Sequence, residues 1–373
     1  MVKYQMKKVI HIIIGLNVGG AELMLRRLVL NSQLRGDFKH EVISLTDVGI
    51  IGNELKKEGV PVYTLNMRNI LSLPEVCFSL RALLKDIKPD IVQTWMYHAD
   101  FIGGIVAKSL KIKKIIWGIR TTDVSQGGAK LTVILSKICA ILSHFIPTDI
   151  ICAAHISKAV HINLGYDEKK MHVIPNGFEL DKLVASEEDR GRVRQEFNVN
   201  KEALVVGSVG RFNVVKDQRF FIEVAAILVE KYPDLIFMLV GRDNTRENQE
   251  LMSWIKEKKL ESNFILLGQR KDIPQCLKAM DIFCLHSKTE GFPNVVVEAM
   301  ALGLPVVSRD VGDSKYLIDN KRLIQNDINN FCREIIRIIE NPQVREEIRV
   351  FNKKRSKDYS IDSFIENINR IYI

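Results

Sequence analysis

Two carboxylates, Glu290 and Glu298, bracket the segment Gly291-Phe292-Pro293-Asn294-Val295-Val296-Val297. Gly, Pro and Asn make its first half a turn, and the valines open a buried helix. Glu290 therefore belongs to a loop, and Glu298 to the helix about one turn in. An unpaired Glu298 against a buried face would be costly, which favours a ligand for it. The plainer alternative makes Glu290 a charge suited to a helix N-terminus and Glu298 an exposed helical residue. Backbone N–H groups from Gly291 to Asn294 would form a donor cluster at that helix start. A second loop, Gly210-Arg211-Phe212-Asn213-Val214-Val215-Lys216-Asp217, places two cations before a helix over 217–230. Fixed charge, a guanidinium fork and a helix dipole together suit a diphosphate; two solvated basic residues are the alternative. A third loop, Gly15 to Glu22, contains Gly19 and Gly20, which allow close backbone approach at a helix start. It is neither G-x-G-x-x-G nor a P-loop, and a tight strand-to-helix turn would look the same.

These loops need strands behind them. Short apolar runs supply twelve candidates: Val9–Ile14, Val42–Leu45, Val62–Leu65, Ile91–Thr94, Ile115–Gly118, Ile150–Ala153, His172–Ile174, Leu204–Val209, Leu235–Val240, Phe264–Leu267, Ile282–His286 and Pro305–Ser308. Helical patterns lie between most of them, including Ala21–Leu34, Glu75–Lys85, Ala99–Leu110 and Glu187–Phe197. Val, Ile and Leu dominate the runs, as in parallel strands buried on both faces. The fold class is α/β, with repeated βα units in two Rossmann-like domains. Pro175-Asn176-Gly177 marks the boundary near 175–182, and the chain from Asn326 onward reads as successive helices. Ligands in such sheets bind beyond the carboxyl ends of the strands, where the three loops lie.

Composition agrees with two domains. The 373 residues are 46% apolar and 27% charged, and a prior of about 150 residues per domain gives between two and three. Six scattered cysteines with no C-x-x-C pair fit a reducing cytoplasm and exclude the common zinc ribbons. The formal charge of +9 is uneven: residues 1–180 hold 23 Lys+Arg against 15 Asp+Glu, and the rest hold 31 against 30. That excess could serve nucleic acid, anionic lipid or an anionic substrate, but no nucleic-acid motif or stacking platform accompanies it. Lys3, Lys7 and Lys8 before an apolar run imitate a signal peptide, yet the run is short and contains His11, as a buried first strand would. Leu131–Ile146 is shorter than the ~20 residues a bilayer span needs, so it is expected to be an amphipathic helix, buried or lying on a membrane surface.

Gly19-Gly20-Ala21-Glu22, Pro175-Asn176-Gly177, Gly210-Arg211-Phe212 with Lys216, and Glu290-Gly291-Phe292-Pro293-Asn294 with Glu298-Ala299-Met300-Ala301 resemble the family 4 retaining glycosyltransferases, over residues 9 to 320. The resemblance implies a GT-B fold: an N-terminal acceptor domain over 1–176, completed by a helix at about 357–373, facing a nucleotide-sugar domain over 177–356 across a deep cleft. It implies that Arg211 and Lys216 stabilise the departing donor diphosphate, that Glu298 binds the ribose hydroxyls and that Glu290 lies near the donor sugar. Backbone amides of Gly291, Phe292, Pro293 and Asn294 would contact the donor, with Gly19 and Gly20 approaching from the first domain. Arg270 belongs to the loop expected against the base. His98 matches the histidine that approaches the donor sugar; on its own it would read as a cap or core histidine. Arg120 is expected on the acceptor side. Two departures stand out, Gly241-Arg242-Asp243 in place of a glycine-rich turn and His286-Ser287 in place of a frequent Pro-Ser.

The implied reaction retains anomeric configuration and requires no metal or other cofactor; no D-x-D occurs. The expected partners are a UDP-linked hexose or N-acetylhexosamine, a glycan or polyprenyl-diphosphate-linked acceptor of surface polysaccharide synthesis, and an anionic membrane surface met by the basic N-terminal domain. Nucleic acid is not among them. The expected location is cytoplasmic, peripheral on the inner face of the membrane. A nucleotide-sugar epimerase of related fold and an inactive sugar-nucleotide-binding subunit are the alternatives.

Overall fold

The computed structural model describes residues 6–122 and 130–373. The chain forms two compact units, one reaching to Gly177 and completed by Ile361–Ile373, the other Phe178–Ser360.

The first unit is a seven-stranded parallel sheet in the order β3-β2-β1-β4-β5-β6-β7. Its elements are β1 (Lys7–Ile13), α1 (Gly20–Arg35), β2 (Phe38–Ser44), α2 (Gly49–Lys57), β3 (Val62–Thr64), α3 (Leu73–Ile87), β4 (Ile91–Trp95), α4 (Met96–Ser109), β5 (Lys114–Ile119), α5 (Lys130–Ser143), β6 (Asp149–Cys152), α6 (His155–Asn163) and β7 (Met171–Val173). Burial on both faces explains the unbroken apolar runs. One core lies under α3, α4 and α5, and the other under α1, α2 and the C-terminal helix Ile361–Tyr372. That last helix belongs to this unit through Phe364, Ile365 and Ile368, all buried. The histidine in the first apolar run has a structural use. Trp95 Nε1 donates to His11 Nδ1 (3.2 Å), leaving His11 Nε2–H for His40 Nδ1 (2.9 Å) and His40 Nε2–H for Ser32 Oγ (2.8 Å). The chain of bonds is complete only when both imidazoles are neutral.

The second unit is a five-stranded parallel sheet, β10-β9-β8-β11-β12. Its elements are α7 (Glu187–Glu196), β8 (Val205–Val209), α8 (Gln218–Val229), β9 (Ile236–Val240), α9 (Gln249–Glu257), β10 (Phe264–Leu266), α10 (Ile273–Lys278), β11 (Ile282–Leu285), α11 (Asn294–Ala301), β12 (Val306–Ser308), α12 (Ser314–Ile318), α13 (Ile328–Glu340) and α14 (Pro342–Ser356). Buried Arg194 joins α7 to the sheet, bonding the carbonyls of Asn200, Lys201, Ala203 and Ala279 and the carboxylate of Asp281. All six cysteines are free, and all but Cys77 are buried. Among the described residues no helix is long and apolar enough to cross a membrane.

Candidate functional site

In the second unit the polar residues converge at the carboxyl edge of the sheet. The loop after β8 is tied to the loop after β9 by Gly210 N–H to Val240 O (2.8 Å), Phe212 N–H to Arg242 O (2.8 Å) and Asn244 Nδ2–H to Gly210 O (2.6 Å). Gly241 stands at φ 136, and a Cβ there would strike the carbonyl of Gly210, so only glycine fits. The departure Gly241-Arg242-Asp243 therefore keeps the one glycine that the close approach requires.

This loop delivers Lys216 to the loop after β11. Lys216 Nζ donates to Glu290 Oε1 at 2.5 Å, and Ser287 Oγ donates to the same oxygen at 2.6 Å. The two charged side chains retain 24% and 13% of their exposure, so the pair is mostly shielded but reachable. Arg211 is exposed and makes no ion pair among the described residues. Helices α8 and α11 both begin at this edge, so the positive ends of two helix dipoles lie there. Gly291 is fixed through its carbonyl, which accepts from Asp313 N–H at 3.0 Å. Phe292 turns its ring onto Phe178 and Tyr359, leaving only its backbone for a ligand. Pro293 is buried at the N-cap of α11, Asn294 is the helix's first residue, and Glu298 lies one turn in, half-buried.

Arg270 is committed elsewhere. Its guanidinium is bidentate to Glu196 (2.5 and 3.0 Å) and also bonds Asp272 (2.9 and 2.8 Å), and these carboxylates hold its pKa well above the usual range. It joins the β10 loop to the end of α7.

The first unit presents a different edge. Strand β4 passes into α4 without a loop, and Met96 absorbs the reversal at φ 70. This abrupt turn sets His98 on the first turn of α4, half-buried, with its pKa lowered by burial. His98, Arg68, Thr46 and Asn69 are the polar residues of a mostly apolar cavity of about 320 Å³, which Ile14, Met67, Phe101 and Leu135 also line. Gly19 caps α1, and a Cβ on it would meet the Glu22 carboxylate, which folds back over that helix start; Gly20 has open space around it. Arg120 is withdrawn from the edge. Its guanidinium stacks against Trp95 (5.1 Å) and Phe364 (5.5 Å), donates to Asn176 Oδ1 (3.0 Å), and keeps Nε and Nη2 buried. Burial lowers its pKa to about 10. It fixes the Pro175-Asn176-Gly177 turn, as does Arg27, which donates to Gly177 O at 3.1 Å.

Two family models match the chain in the order of the two units. "Glycosyltransferase Family 4" covers residues 18–182 and "Glycosyl transferases group 1" covers 189–355. The chain is a family 4 glycosyltransferase. It is 28% identical over 322 residues to the Escherichia coli UDP-Gal:alpha-D-GlcNAc-diphosphoundecaprenol alpha-1,3-galactosyltransferase, covering 84% of this chain and 82% of that one. It is 26% identical over 315 residues to the Staphylococcus aureus capsular polysaccharide biosynthesis glycosyltransferase CapH, with 83% of each covered. Anabaena HepE, solved in complex with UDP, superposes with a TM-score of 0.84 at 22% identity over 97% of this chain and 98% of that one. The fold is GT-B.

Within this glycosyltransferase, two residues at the polar edge were not assigned a site role from sequence. His286 Nδ1–H donates to the carbonyl of Lys216 at 2.7 Å while its ring stacks on Phe221 at 4.9 Å. Burial lowers its pKa to about 4, against the opposing pull of this bond, so the ring is neutral near pH 7. Arg309, from the end of β12, bonds the Asp217 carboxylate at 3.0 Å and lies over Phe220. Asp217 itself stands at φ 56, so Arg309 and His286 between them hold the turn that follows Lys216. The signal for His286 was the replaced proline; nothing in the sequence pointed to Arg309.

Proposed function

We propose that this glycosyltransferase moves a hexose or N-acetylhexosamine from UDP to a saccharide or polyprenyl-diphosphate-linked acceptor in surface polysaccharide synthesis, with retention and without a metal, from the cytoplasmic side of the membrane. The observation that carries the reading is the 2.5 Å Lys216–Glu290 pair, on the same loops as exposed Arg211 and the N-terminus of α11. The bond from the sugar's anomeric carbon to the diphosphate oxygen breaks, and negative charge develops on the leaving group. Arg211, Lys216 and the two helix N-termini are groups that would neutralise it. The acceptor hydroxyl attacks from the same face and passes its proton to the departing phosphate. Glu290 accepts from Lys216 and Ser287 on one oxygen, which suits a carboxylate that orients the sugar and its cation more than one that attacks carbon. The UDP in the HepE structures and the lipid-linked acceptor in the E. coli relative's name support the substrate classes.

A thermal-shift screen of nucleotide-sugars, followed by assay of UDP release, tests this reading. One UDP-sugar should stabilise the protein selectively, and UDP should appear only when a saccharide-diphospho-lipid is added, in EDTA as in its absence. Conversion of the UDP-sugar to its epimer without added acceptor would point to an epimerase instead. Preference for a different nucleotide would overturn the donor assignment.

A further inference from the structure

Among the described residues the outer face of α5 is unpartnered. Leu131 (55% exposed), Ile134 (56%), Ile138 (39%), Ile141 (67%) and, in the turn beyond, Phe145 (69%) recur at spacings of three and four, which puts them on one side of the helix. The inner side carries Cys139 and Ala140 into the core. Soluble monomers seldom leave so regular an apolar stripe in water, and a stripe of this kind marks a contact. Neighbouring α4, packed on both α3 and α5, adds exposed Ile105, and α3 adds Phe78.

Charge decides what covers the stripe. Exposed Lys130 and Lys137 flank it, and no Asp or Glu occurs from Lys130 to Thr148. The far ends of α3 and α4 on the same layer contribute Lys85, Lys88, Lys108 and Lys111, all exposed. The same layer also exposes Glu75, Asp86 and Asp90 on and just after α3, but none lies on α5, so a second copy of the α5 face itself would bring lysine against lysine. An apolar stripe bordered by lysines is the chemistry of a helix lying in the interface of an anionic bilayer. With fourteen residues, α5 is too short to span one. The stripe also runs into the His98 cavity: Leu131 belongs to both, and the next inward residue, Leu135, lines the cavity wall.

We propose that the first unit docks on an anionic membrane through the outer face of α5, with the helix lying in the lipid interface and the mouth of the His98 cavity at the lipid surface. The docking stands on α5 itself; only its use, to meet a lipid-linked acceptor, rests on the function proposed above.

The test is co-sedimentation of the full-length protein with vesicles of phosphatidylcholine alone or with 30% phosphatidylglycerol, at low and high salt, for wild type and Ile141→Glu. Wild type should bind the anionic vesicles at low salt, lose most binding at high salt, and bind neutral vesicles weakly. Ile141→Glu should bind at least tenfold more weakly with an unchanged Tm, since the side chain is exposed. No binding to anionic vesicles, or equal binding by the variant, overturns the proposal. So does a wild-type dimer in light scattering that Ile141→Glu converts to monomer, because the face would then be an interface between copies. A UDP-sugar thermal shift on both proteins separates the two readings: it depends on the second unit, so the docking can fail while the donor reading stands, or the reverse.

Discussion

The two units are built from the same βα rhythm, but their carboxyl edges are furnished differently. The second unit holds its charged and polar groups in fixed places: Lys216 on Glu290, Arg309 on Asp217, His286 on the backbone of Lys216. The first offers a mostly apolar cavity in which His98, Arg68, Thr46 and Asn69 stand among aliphatic and aromatic side chains, and it has a separate buried polar network in the His11–His40–Ser32 chain and the Arg120 stack. The net charge divides the opposite way, with nearly all the excess in the half whose edge is apolar. Placed charges serve a ligand that is itself charged and of fixed shape, such as a diphosphate. Diffuse basic charge around apolar surface serves a partner that is extended and variable.

The largest effect should come from the second unit. Lys216→Ala removes a cation from the leaving group and leaves Glu290 without its partner, so kcat should fall by about 10²–10³. His98→Ala, in the apolar cavity, should lower kcat by roughly 10-fold or more, since one positioned polar contact is lost. Steady-state kinetics on both variants would break the contrast if the order were reversed, and near-normal turnover of Lys216→Ala would remove it from the chemistry.

Acid should separate the units next. His11 and His40 in the first unit and His286 in the second all have folded-state pKa values below the ordinary 6.5, His40 and His286 at about 4, chiefly through burial. The unfolded chain therefore takes up protons between pH 6.5 and 4 that the folded chain refuses. Stability is full above pH 6.5 and falls as the pH drops through that window, by up to roughly 1.4 kcal/mol per pH unit for each histidine. With His98 also lowered by burial, the first unit holds three such groups against one and should loosen sooner. Urea midpoints from tryptophan fluorescence, which draws on Trp95 and Trp117 in the first unit and Trp254 in the second, should fall between pH 7 and pH 5. A flat profile would mean that these histidines titrate normally.

The smallest effect sharpens the boundary of the polar site. Arg270 is saturated by Glu196 and Asp272 and mostly shielded, so Arg270→Ala should lower stability by about 1 kcal/mol or somewhat more and change the donor KM less than threefold. A large rise in KM with unchanged stability would return Arg270 to the donor site.

Much of this contrast was legible in the sequence. All twelve strands lie where the apolar runs fall, because strands buried on both faces announce themselves by composition, with ends displaced by a few residues where exposed lysines begin the ladder, as at Lys7. The E-x7-E segment and the Arg211/Lys216 loop were legible because turn residues and charges keep short spacings. The Lys216–Glu290 contact was not, since 74 residues separate its partners. Arg309 was hidden for the same reason. The packing of Arg120 was hidden too, because sequence cannot tell a guanidinium aimed at solvent from one stacked between Trp95 and Phe364. The outward stripe of α5 was readable only as an amphipathic pattern. Which of its faces the core would take became apparent when Cys139 and Ala140 turned inward.

The central claim is that charges placed in the second unit expel a diphosphate while the acceptor attacks from the same face. Proton NMR of the first-formed product, with an α-linked UDP-sugar and a saccharide-diphospho-lipid analogue, tests it most directly. The account predicts an α-anomeric coupling in the new linkage, with one UDP released per bond formed. A β-linked first product, or UDP accumulating without a new linkage, would contradict it.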